Sequence, residues 1–364
     1  MKILHFINNL GSGGAEKLLT DILPLMSKEG LEVHVAFCNR KVNVEAYEKR
    51  LIENGITLHS FELNFYNPLN IFSVVRLINK EKFDLVHAHL FPTQYWLAAA
   101  SYFVPQKVKL IKTEHSVSNE RKDYKILLPL ERWMYSRYHN IINITEQVHE
   151  NLANWLGHSK HMSIIENGVN LNQVREAAGK KTDVTFDETK FNLLMTGRFD
   201  GIFKDQKTLV KSLSLLPKDK FSLYFAGEGK AMDDIKAYAE ELNVTENVHF
   251  LGMRTDVYTL MSAVDLNILS SNKEGLSGVT LESLASNSPF LGSDVEGINN
   301  IVPDQRFLYE RGNANQLAEK ILTIANNSNL YQEMRIEGNR FVQKFDIQTM
   351  ADKYLHLYQN TLRA

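Results

Sequence analysis

Cysteine, strong net charge and long apolar runs are all scarce in this 364-residue chain. The single cysteine, Cys38, excludes a disulfide within the chain and suits a reducing cytoplasm. The 41 Lys and Arg residues nearly balance the 43 Asp and Glu residues, so the basic excess of a typical nucleic-acid-binding protein is missing. No apolar run approaches the roughly 18 residues of a transmembrane helix, and the N-terminus is typical of a strand rather than of a secretory signal. We therefore expect a cytoplasmic protein that binds no nucleic acid.

Short β-rich runs alternate with segments of helical periodicity along nearly the whole chain. This alternation is typical of βαβ units, which build a parallel sheet with helices on both faces. The alternation lapses in a polar segment at 170–190 and then resumes, so we predict an α/β protein of two Rossmann-like domains, 1–168 and 169–346. Strands are predicted at 2–7, 32–38, 57–61, 85–89, 108–115, 140–145, 162–166, 191–196, 222–226, 248–251, 264–269 and 289–292, and helices at 15–28, 68–80, 124–138, 281–287, 313–344 and 347–362.

Two carboxylates, Glu274 and Glu282, flank a glycine-containing turn between a predicted strand and a predicted helix. The start of a helix presents unpaired backbone N–H groups and a positive dipole, and both favour a bound phosphate. The two carboxylates could therefore accept hydrogen bonds from hydroxyls on either side of a diphosphate. A nucleotide-sugar, with a ribose at one end and a hexose at the other, has this shape.

Two cations follow the predicted strand at 191–196. Arg198 offers a planar fork for phosphate oxygens and Lys204 a compact charge, so together they could neutralise a leaving diphosphate. We expect Lys204 to be an exposed lysine that adds little to stability. Its replacement by alanine should then slow the reaction far more than it weakens folding.

Glycine-rich turns follow other predicted strands. Gly11 and Gly13 nearly match a dinucleotide-binding fingerprint, but Glu16 replaces its third glycine and disfavours a pyrophosphate placed as in dehydrogenases. A flexible loop is the alternative interpretation. The turn Gly252-Met253-Arg254 gives room for a nucleoside base, although any undemanding βα turn has the same appearance.

Histidines mark the ends of two predicted strands. His87 and His89 are two residues apart and share one face, so with His115 they could form a three-histidine metal site. No carboxylate or cysteine supports that site, and we predict that no metal is bound. Ligands of open α/β sheets lie at the carboxyl ends of strands, where His115 could donate a hydrogen bond to a hydroxyl or to a developing charge. A histidine on a surface loop is the alternative.

The basic and aromatic stretch at 121–137 permits a helix that lies on anionic lipid. Pro129, Asp123 and Glu131 favour an ordinary packed helix instead.

Taken together, these motifs resemble those of the bacterial retaining glycosyltransferases of family 4, which have the GT-B fold of two Rossmann-like domains. The resemblance spans nearly the whole chain, and the Glu-x7-Glu motif is its most specific element. It rests on Gly13-Gly14-Ala15-Glu16, Thr113-Glu114-His115, Asn167-Gly168-Val169, Gly197-Arg198 with Lys204, Glu274 to Glu282, Ser288-Pro289 and Asp294 to Gly297.

The resemblance implies a role for each domain. The C-terminal domain would bind a nucleotide-diphosphate sugar, a UDP-sugar in our expectation. The N-terminal domain, completed by the last helix at about 347–364, would bind the acceptor. Arg198, Lys204 and the N–H groups of Gly278, Val279 and Thr280 would hold the diphosphate, and the Gly13-Gly14 loop would close over it. Glu282 would hold the ribose, Glu274 and His115 the donor sugar, and Gly252, Met253 and Arg254 the base.

The resemblance also implies a reaction, namely metal-independent, cofactor-free transfer of a hexose or N-acetylhexosamine. The acceptor would be a glycan or lipid-linked glycan in capsular, exopolysaccharide or O-antigen-type assembly, with at most peripheral contact at the inner membrane face. A nucleotide-sugar hydrolase or epimerase on the same fold is the alternative.

The chain departs from the family pattern at several positions, which puts the sugar and the base in doubt. These departures are Asn170 for a usual aspartate, Glu166 for a common proline, Asn287 for a usual glycine, and the unusual spacer Phe199-Asp200-Gly201-Ile202-Phe203.

Overall fold

The computed structural model describes residues 1–115 and 124–363. The chain forms two compact units: unit 1 is Met1–Gly168 with Ile347–Ala364, and unit 2 is Val169–Asp346. Each unit contains one parallel sheet, as the alternating pattern predicts. Among the described residues, no helix combines the length and the apolarity needed to cross a bilayer.

The sheet of unit 1 has the strand order β3-β2-β1-β4-β5-β6-β7 over the described residues. Its central strands are nearly continuous buried runs, as expected of strands covered on both faces. The strands are β1 (Lys2–Ile7), β2 (Glu32–Phe37), β3 (Thr57–Ser60), β4 (Leu85–His89), β5 (Lys109–Glu114), β6 (Asn140–Asn143) and β7 (Met162–Ile164), and the helices, numbered in chain order, are α1 (Gly14–Lys28), α2 (Glu45–Glu53), α3 (Asn70–Glu81), α4 (Thr93–Ala100), α5 (Leu128–Ser136), α6 (Glu146–Leu156) and α14 (Ile347–Arg363).

The sheet of unit 2 has the order β10-β9-β8-β11-β12-β13 over its described strands. Its strands are β8 (Phe191–Thr196), β9 (Phe221–Ala226), β10 (Val248–Phe250), β11 (Leu266–Leu269), β12 (Phe290–Ser293) and β13 (Leu308–Tyr309), and its helices are α7 (Leu171–Ala177), α8 (Gln206–Ser214), α9 (Met232–Glu241), α10 (Val257–Ala263), α11 (Gly278–Ala285), α12 (Ala314–Asn326) and α13 (Ser328–Val342).

Both sheets reverse their strand order once. In unit 1 the reversal lies between β1 and β4, and in unit 2 it lies between β8 and β11. The crevice at such a reversal, outside the carboxyl ends of the strands, is the usual ligand site of open α/β sheets. This topology directs the search for a site to the turns after these four strands.

The structure differs from the predicted elements in several details, three of which follow. The polar segment at 170–190 contains helix α7, whose first turn is capped by the Asn170 side chain. Pro129 lies in the first turn of α5 rather than in the middle of a helix, and proline is well tolerated there because it has no N–H to lose. Strand β13 has two residues, too short to leave a periodic pattern. Residues 121–123 of the basic and aromatic stretch lie outside the described residues.

We expect Gly227→Ala to destabilise unit 2 by roughly 2–5 kcal/mol. Gly227 has φ +148°, and an added Cβ would overlap the backbone carbonyl of Gly197 in the turn after β8. Urea unfolding measures the loss. Gly30→Ala is the control, since Gly30 also has positive φ but no atom lies within 4 Å of its added Cβ. An equal loss in both variants would show that φ alone, not the close approach of the two turns, sets the cost.

Candidate functional site

The turns that follow β8 and β11 meet at the strand reversal of unit 2. Residues 203–205 run antiparallel to 270–272: Lys204 pairs with Ser271, and the Asp205 N–H donates to the Ser270 carbonyl at 2.9 Å. This pairing places the Lys204 side chain beside Glu274. We call the group Gly197, Arg198, Lys204, Glu274 and the first turn of α11 the β8–β11 site.

Lys204 and Glu274 form an ion pair in this site. Lys204 Nζ lies 2.5 Å from Glu274 Oε1, and the Ser271 hydroxyl donates to the same oxygen at 2.6 Å. The two charged side chains are only 14% and 15% exposed. Lys204 is therefore not the exposed lysine that the sequence led us to expect, and its removal would cost some stability.

The unusual spacer between Arg198 and Lys204 is a folded turn. The Phe199 side chain is buried and packs edge-on against Phe225, with ring centroids 5.4 Å apart. The Asp200 carboxylate accepts the N–H groups of residues 202–204 at 2.7–3.2 Å. These contacts hold Lys204 in the register that reaches Glu274.

Arg198 differs from Lys204 in its surroundings. Its side chain is exposed and has no hydrogen bond or ion pair with the rest of the described chain, and only its carbonyl is engaged, by Gln206. A guanidinium in this state keeps its planar fork available for the oxygens of a bound anion.

The first turn of α11, which begins four residues after Glu274, supplies N–H donors. Ser277 caps the helix by accepting the Thr280 N–H at 3.2 Å. Of the three predicted phosphate donors, Thr280 is thus already engaged, whereas the N–H groups of Gly278 and Val279 donate to no atom of the described residues. Two free donors and the helix dipole still favour an anion here.

Glu282 lies one turn further along α11 and is 8% exposed. Its carboxylate accepts the Tyr258 hydroxyl of α10 at 3.1 Å. A mostly buried carboxylate at this edge of the sheet is well suited to accept hydrogen bonds from ligand hydroxyls.

In the predicted base-binding turn, the backbone and the Arg254 side chain differ in whether they are available to a ligand. Gly252 has positive φ, and the Met253 N–H donates to the Glu228 carboxylate at 3.2 Å, so the turns after β9 and β10 adjoin. The Arg254 guanidinium forms ion pairs with Asp183 and with Asp256, the latter at 2.8 Å. The Arg254 side chain is therefore engaged within the protein, and the turn offers its backbone rather than that cation.

In unit 1 the glycine turn after β1 leads into α1. Gly13 is the residue before the helix, and the Glu16 carboxylate lies so close that a Cβ on Gly13 would overlap it. No atom lies within 4 Å of a Cβ built on Gly14. The turn thus accepts only glycine at 13 without displacing Glu16, and it is open at 14.

The histidines of unit 1 lie at its strand reversal, on β1 and β4 and after β5. His5 Nδ1 lies 3.0 Å from His89 Nε2, and His89 Nδ1 lies 3.2 Å from His115 Nε2. His87 belongs to a separate network with Tyr358 of α14, at 2.6 Å, and with Thr113, at 2.8 Å.

The histidines that could surround a metal ion are not the three considered from the sequence, namely His87, His89 and His115. The ligating nitrogens of His5, His87 and His89 lie within 4.8 Å of one another, whereas His115 is hydrogen-bonded to His89 and is not part of that group. Both ring nitrogens of His87 and of His89 are already hydrogen-bonded, so these residues are satisfied without a metal.

Known proteins share this chain's sequence pattern and fold. Residues 12–173 match the family described as Glycosyltransferase Family 4, and residues 179–341 match Glycosyl transferases group 1. The chain belongs to the glycosyltransferases that these two family descriptions cover. The resemblance found in its motifs is thereby confirmed.

Individual relatives support the family and the fold of the glycosyltransferase. It is 26% identical to a Campylobacter jejuni N-acetylgalactosamine-N,N'-diacetylbacillosaminyl-diphospho-undecaprenol 4-alpha-N-acetylgalactosaminyltransferase, with 97% of this chain and 99% of that protein covered. It is 25% identical to an Escherichia coli UDP-Gal:alpha-D-GlcNAc-diphosphoundecaprenol alpha-1,3-galactosyltransferase, covering 79% and 78%. The crystal structure of Anabaena HepE in complex with UDP and glucose superposes with a TM-score of 0.83 at 19% identity, covering 99% of each chain. The predicted GT-B fold is confirmed.

The sequence analysis missed His5, which is hydrogen-bonded to His89 in the histidine cluster of unit 1. Parallel pairing of β1 with β4 sets His5 beside His87 in register, and His5 is buried. The sequence did contain a signal, namely the alternation of side chains along the first strand. A residue in register with His87 on a neighbouring parallel strand points to the same face as His87.

The buried histidines predict how the stability of the glycosyltransferase depends on pH. Burial lowers the pKa of His5 to about 3 and that of His115 to about 4, and it holds the pKa of His87 and of His89 well below the usual value of 6.5. Below pH 6.5 the unfolded chain therefore binds protons that the folded chain does not. Stability is full above that pH and falls as the pH drops towards the folded pKa values, by up to about 1.4 kcal/mol per pH unit for each histidine.

Amide hydrogen exchange, measured in urea at about pH 7.5 and at about pH 5.5, checks this expectation through the protection factors of individual amides. Amides of β1 and β4 should lose protection at the lower pH. Amides of β8, a strand without histidine, serve as the internal control. Equal protection of β1 at both pH values would contradict the prediction.

Proposed function

We propose that the protein transfers a hexose or an N-acetylhexosamine from a UDP-sugar to a glycan or lipid-linked glycan, with retention of the anomeric configuration. The observation that carries this proposal is the β8–β11 site, where Lys204 is paired with Glu274 and the N–H groups of Gly278 and Val279 are free among the described residues. The product would belong to capsular, exopolysaccharide or O-antigen-type assembly. The activities for which the Campylobacter and Escherichia relatives are named, both on undecaprenyl-diphosphate-linked sugars, support this class of acceptor.

The donor roles follow from charge and from hydrogen-bonding capacity. Lys204, Arg198 and the N–H groups of Gly278 and Val279 hold the diphosphate, because all of them present positive charge or donors. Glu282 accepts the ribose hydroxyls, and the remaining oxygen of Glu274 accepts those of the donor sugar. We also assign a phosphate-binding role to the Gly13-Gly14 turn, which is open at Gly14. Uridine is favoured because the Escherichia relative is named for UDP-Gal and the Anabaena structure contains UDP.

The chemistry assigned to these residues is charge stabilisation. As the bond between the anomeric carbon and the phosphate oxygen breaks, negative charge grows on the diphosphate, where Lys204 and Arg198 neutralise it. We propose that this positive charge suffices without a metal ion. The Glu274 carboxylate is paired with Lys204, which neutralises its charge and weakens it as a nucleophile. The acceptor hydroxyl therefore attacks from the face of the leaving group, and its proton passes to the leaving phosphate.

His115 is the residue of unit 1 to which we assign a role at the donor sugar. Its position directly after β5 is at the carboxyl edge of the sheet. Burial lowers the pKa of His115 and keeps its ring neutral near pH 7, so that the ring acts as a hydrogen-bond donor rather than as a fixed positive charge.

We also propose peripheral contact with the cytoplasmic face of the membrane, where a lipid-linked acceptor would lie. Unit 1 exposes large apolar side chains that suit a membrane surface. They include Tyr66 (60% exposed), Phe72 (64%), Phe103 (62%) and Ile126 (86%).

The test is a transfer assay on the purified protein. A panel of UDP-sugars, with GDP- and ADP-sugars as controls, is incubated with and without undecaprenyl-diphosphate-linked monosaccharide acceptors, in EDTA and in added Mg²⁺. A disaccharide product with an α linkage by NMR, formed equally in EDTA, supports the proposal. Free sugar or an epimer in reactions without acceptor would instead identify the hydrolase or epimerase. Binding of no nucleotide-sugar at all would refute both.

A further inference from the structure

The three imidazoles of His5, His89 and His115 form an unbranched chain of hydrogen bonds. Each link joins two ring nitrogens, at 3.0 Å and at 3.2 Å. A link between two ring nitrogens needs one proton, and a neutral imidazole carries one proton in all. The protons of the three rings therefore cannot be placed independently.

Two arrangements satisfy both links. In the first, His5 donates from Nδ1 to His89, His89 donates from Nδ1 to His115, and the His115 proton is on Nδ1. In the second, His115 donates from Nε2 to His89, His89 donates from Nε2 to His5, and the His5 proton is on its own Nε2.

The surroundings of His5 decide between the two arrangements. His5 Nε2 is buried and has no hydrogen-bond partner among the described residues. The second arrangement would leave a buried N–H there without an acceptor, whereas the first leaves only a lone pair. Unpaired buried N–H groups are rarer in folded proteins than unpaired acceptors, so the first arrangement is favoured.

We propose that His5 and His89 are positioning residues that keep the proton of His115 on Nδ1, which makes His115 a hydrogen-bond donor to its ligand. In the second arrangement the free Nδ1 of His115 would be an acceptor and could not stabilise negative charge. This inference rests on the proposed function for its ligand, the donor sugar, but its geometry lies wholly within unit 1.

The proton position can be measured without turnover. Long-range 1H–15N correlation spectra of 15N-histidine-labelled protein distinguish the Nδ1–H from the Nε2–H form of each imidazole, and the His115 signals are assigned by their loss in His115→Asn. We expect Nδ1–H for His115 in the wild-type protein. Nε2–H in the wild-type protein would overturn the proposal.

Two variants at position 89 test the relay itself. The Asn side chain in His89→Asn places an amide that can donate to His115, and this variant should keep the Nδ1–H form. The Asp side chain in His89→Asp can only accept, so it should draw the His115 proton to Nε2. We then expect kcat to fall on the order of a hundredfold or more in His89→Asp, with a smaller change in KM for the donor, because the ring holds the wrong tautomer. An unchanged His115 spectrum in His89→Asp would refute the relay.

His87→Gln is the matched control, because His87 is equally buried on the same strand but lies outside the relay. It should lower stability and leave the His115 tautomer unchanged. If His89→Asp fails to fold, the wild-type spectrum and the His89→Asn spectrum still decide the question. An Nδ1–H spectrum in a protein that transfers no sugar would refute the proposed function and leave the relay intact.

Discussion

Replacement of Lys204 by alanine is expected to lower kcat/KM for the donor by about a hundredfold to a thousandfold. The variant removes the cation that we assign to the leaving diphosphate. The Glu274 carboxylate is 15% exposed, and its Oε1 accepts from both Lys204 and Ser271. In the variant, only the Ser271 hydroxyl of these two donors is left. An unneutralised carboxylate next to the phosphates repels the donor, so two effects act in the same direction.

Stability separates this role from a structural one. We expect the loss of the partly buried ion pair to cost about 1–3 kcal/mol, which lowers the melting temperature of a unit of this size by only several degrees. Lys207→Ala is the matched control: it removes the same charge three residues later, from an exposed side chain. Steady-state kinetics and thermal denaturation of both variants are compared. A Lys204→Ala loss no greater than that of Lys207→Ala would contradict the assignment.

The second large effect is expected from His115→Ala. We expect kcat to fall on the order of a hundredfold, because the variant removes a neutral donor that acts on developing charge. KM for the donor should change less, since a contact that strengthens in the transition state contributes mainly to kcat.

His59→Gln is a suitable comparison for His115→Ala. His59 also contacts another imidazole, His34, at 2.8 Å in the same sheet, but it lies on β3, away from the strand reversal. Its variant should retain wild-type kcat. If His115→Ala raised KM and left kcat unchanged, His115 would be a ground-state binding residue rather than the residue that we describe.

Strand positions were predictable because buried parallel strands have a strong local signal. The predicted strands at 2–7, 85–89 and 191–196 coincide with β1, β4 and β8, since each is a continuous apolar or β-branched run that ends at polar or glycine residues. The predicted helix at 281–287 begins three residues late, because the Ser277 cap and the Gly278 start carry no apolar periodicity.

Other features depended on contacts between residues far apart in the chain. The Lys204–Glu274 pair spans 70 residues and follows from the antiparallel pairing of two loops, which periodicity does not reveal. The same holds for the link between His5 and His89, which are 84 residues apart. The exposure of Lys204 was wrongly expected for this reason, whereas the residue types at the two strand reversals were identified from local motifs.

The route of the chain between its units has a practical consequence. Unit 2 is one uninterrupted segment inserted into unit 1, and its two ends are joined by a 2.8 Å hydrogen bond from the Val169 N–H to the Phe345 carbonyl. Residues 169–346 could thus be cut out as a single fragment without breaking any of its strands. A fragment that unfolds in urea with one cooperative transition would make the half to which we assign phosphate binding accessible to titration and spectroscopy on its own, at half the mass of the intact protein.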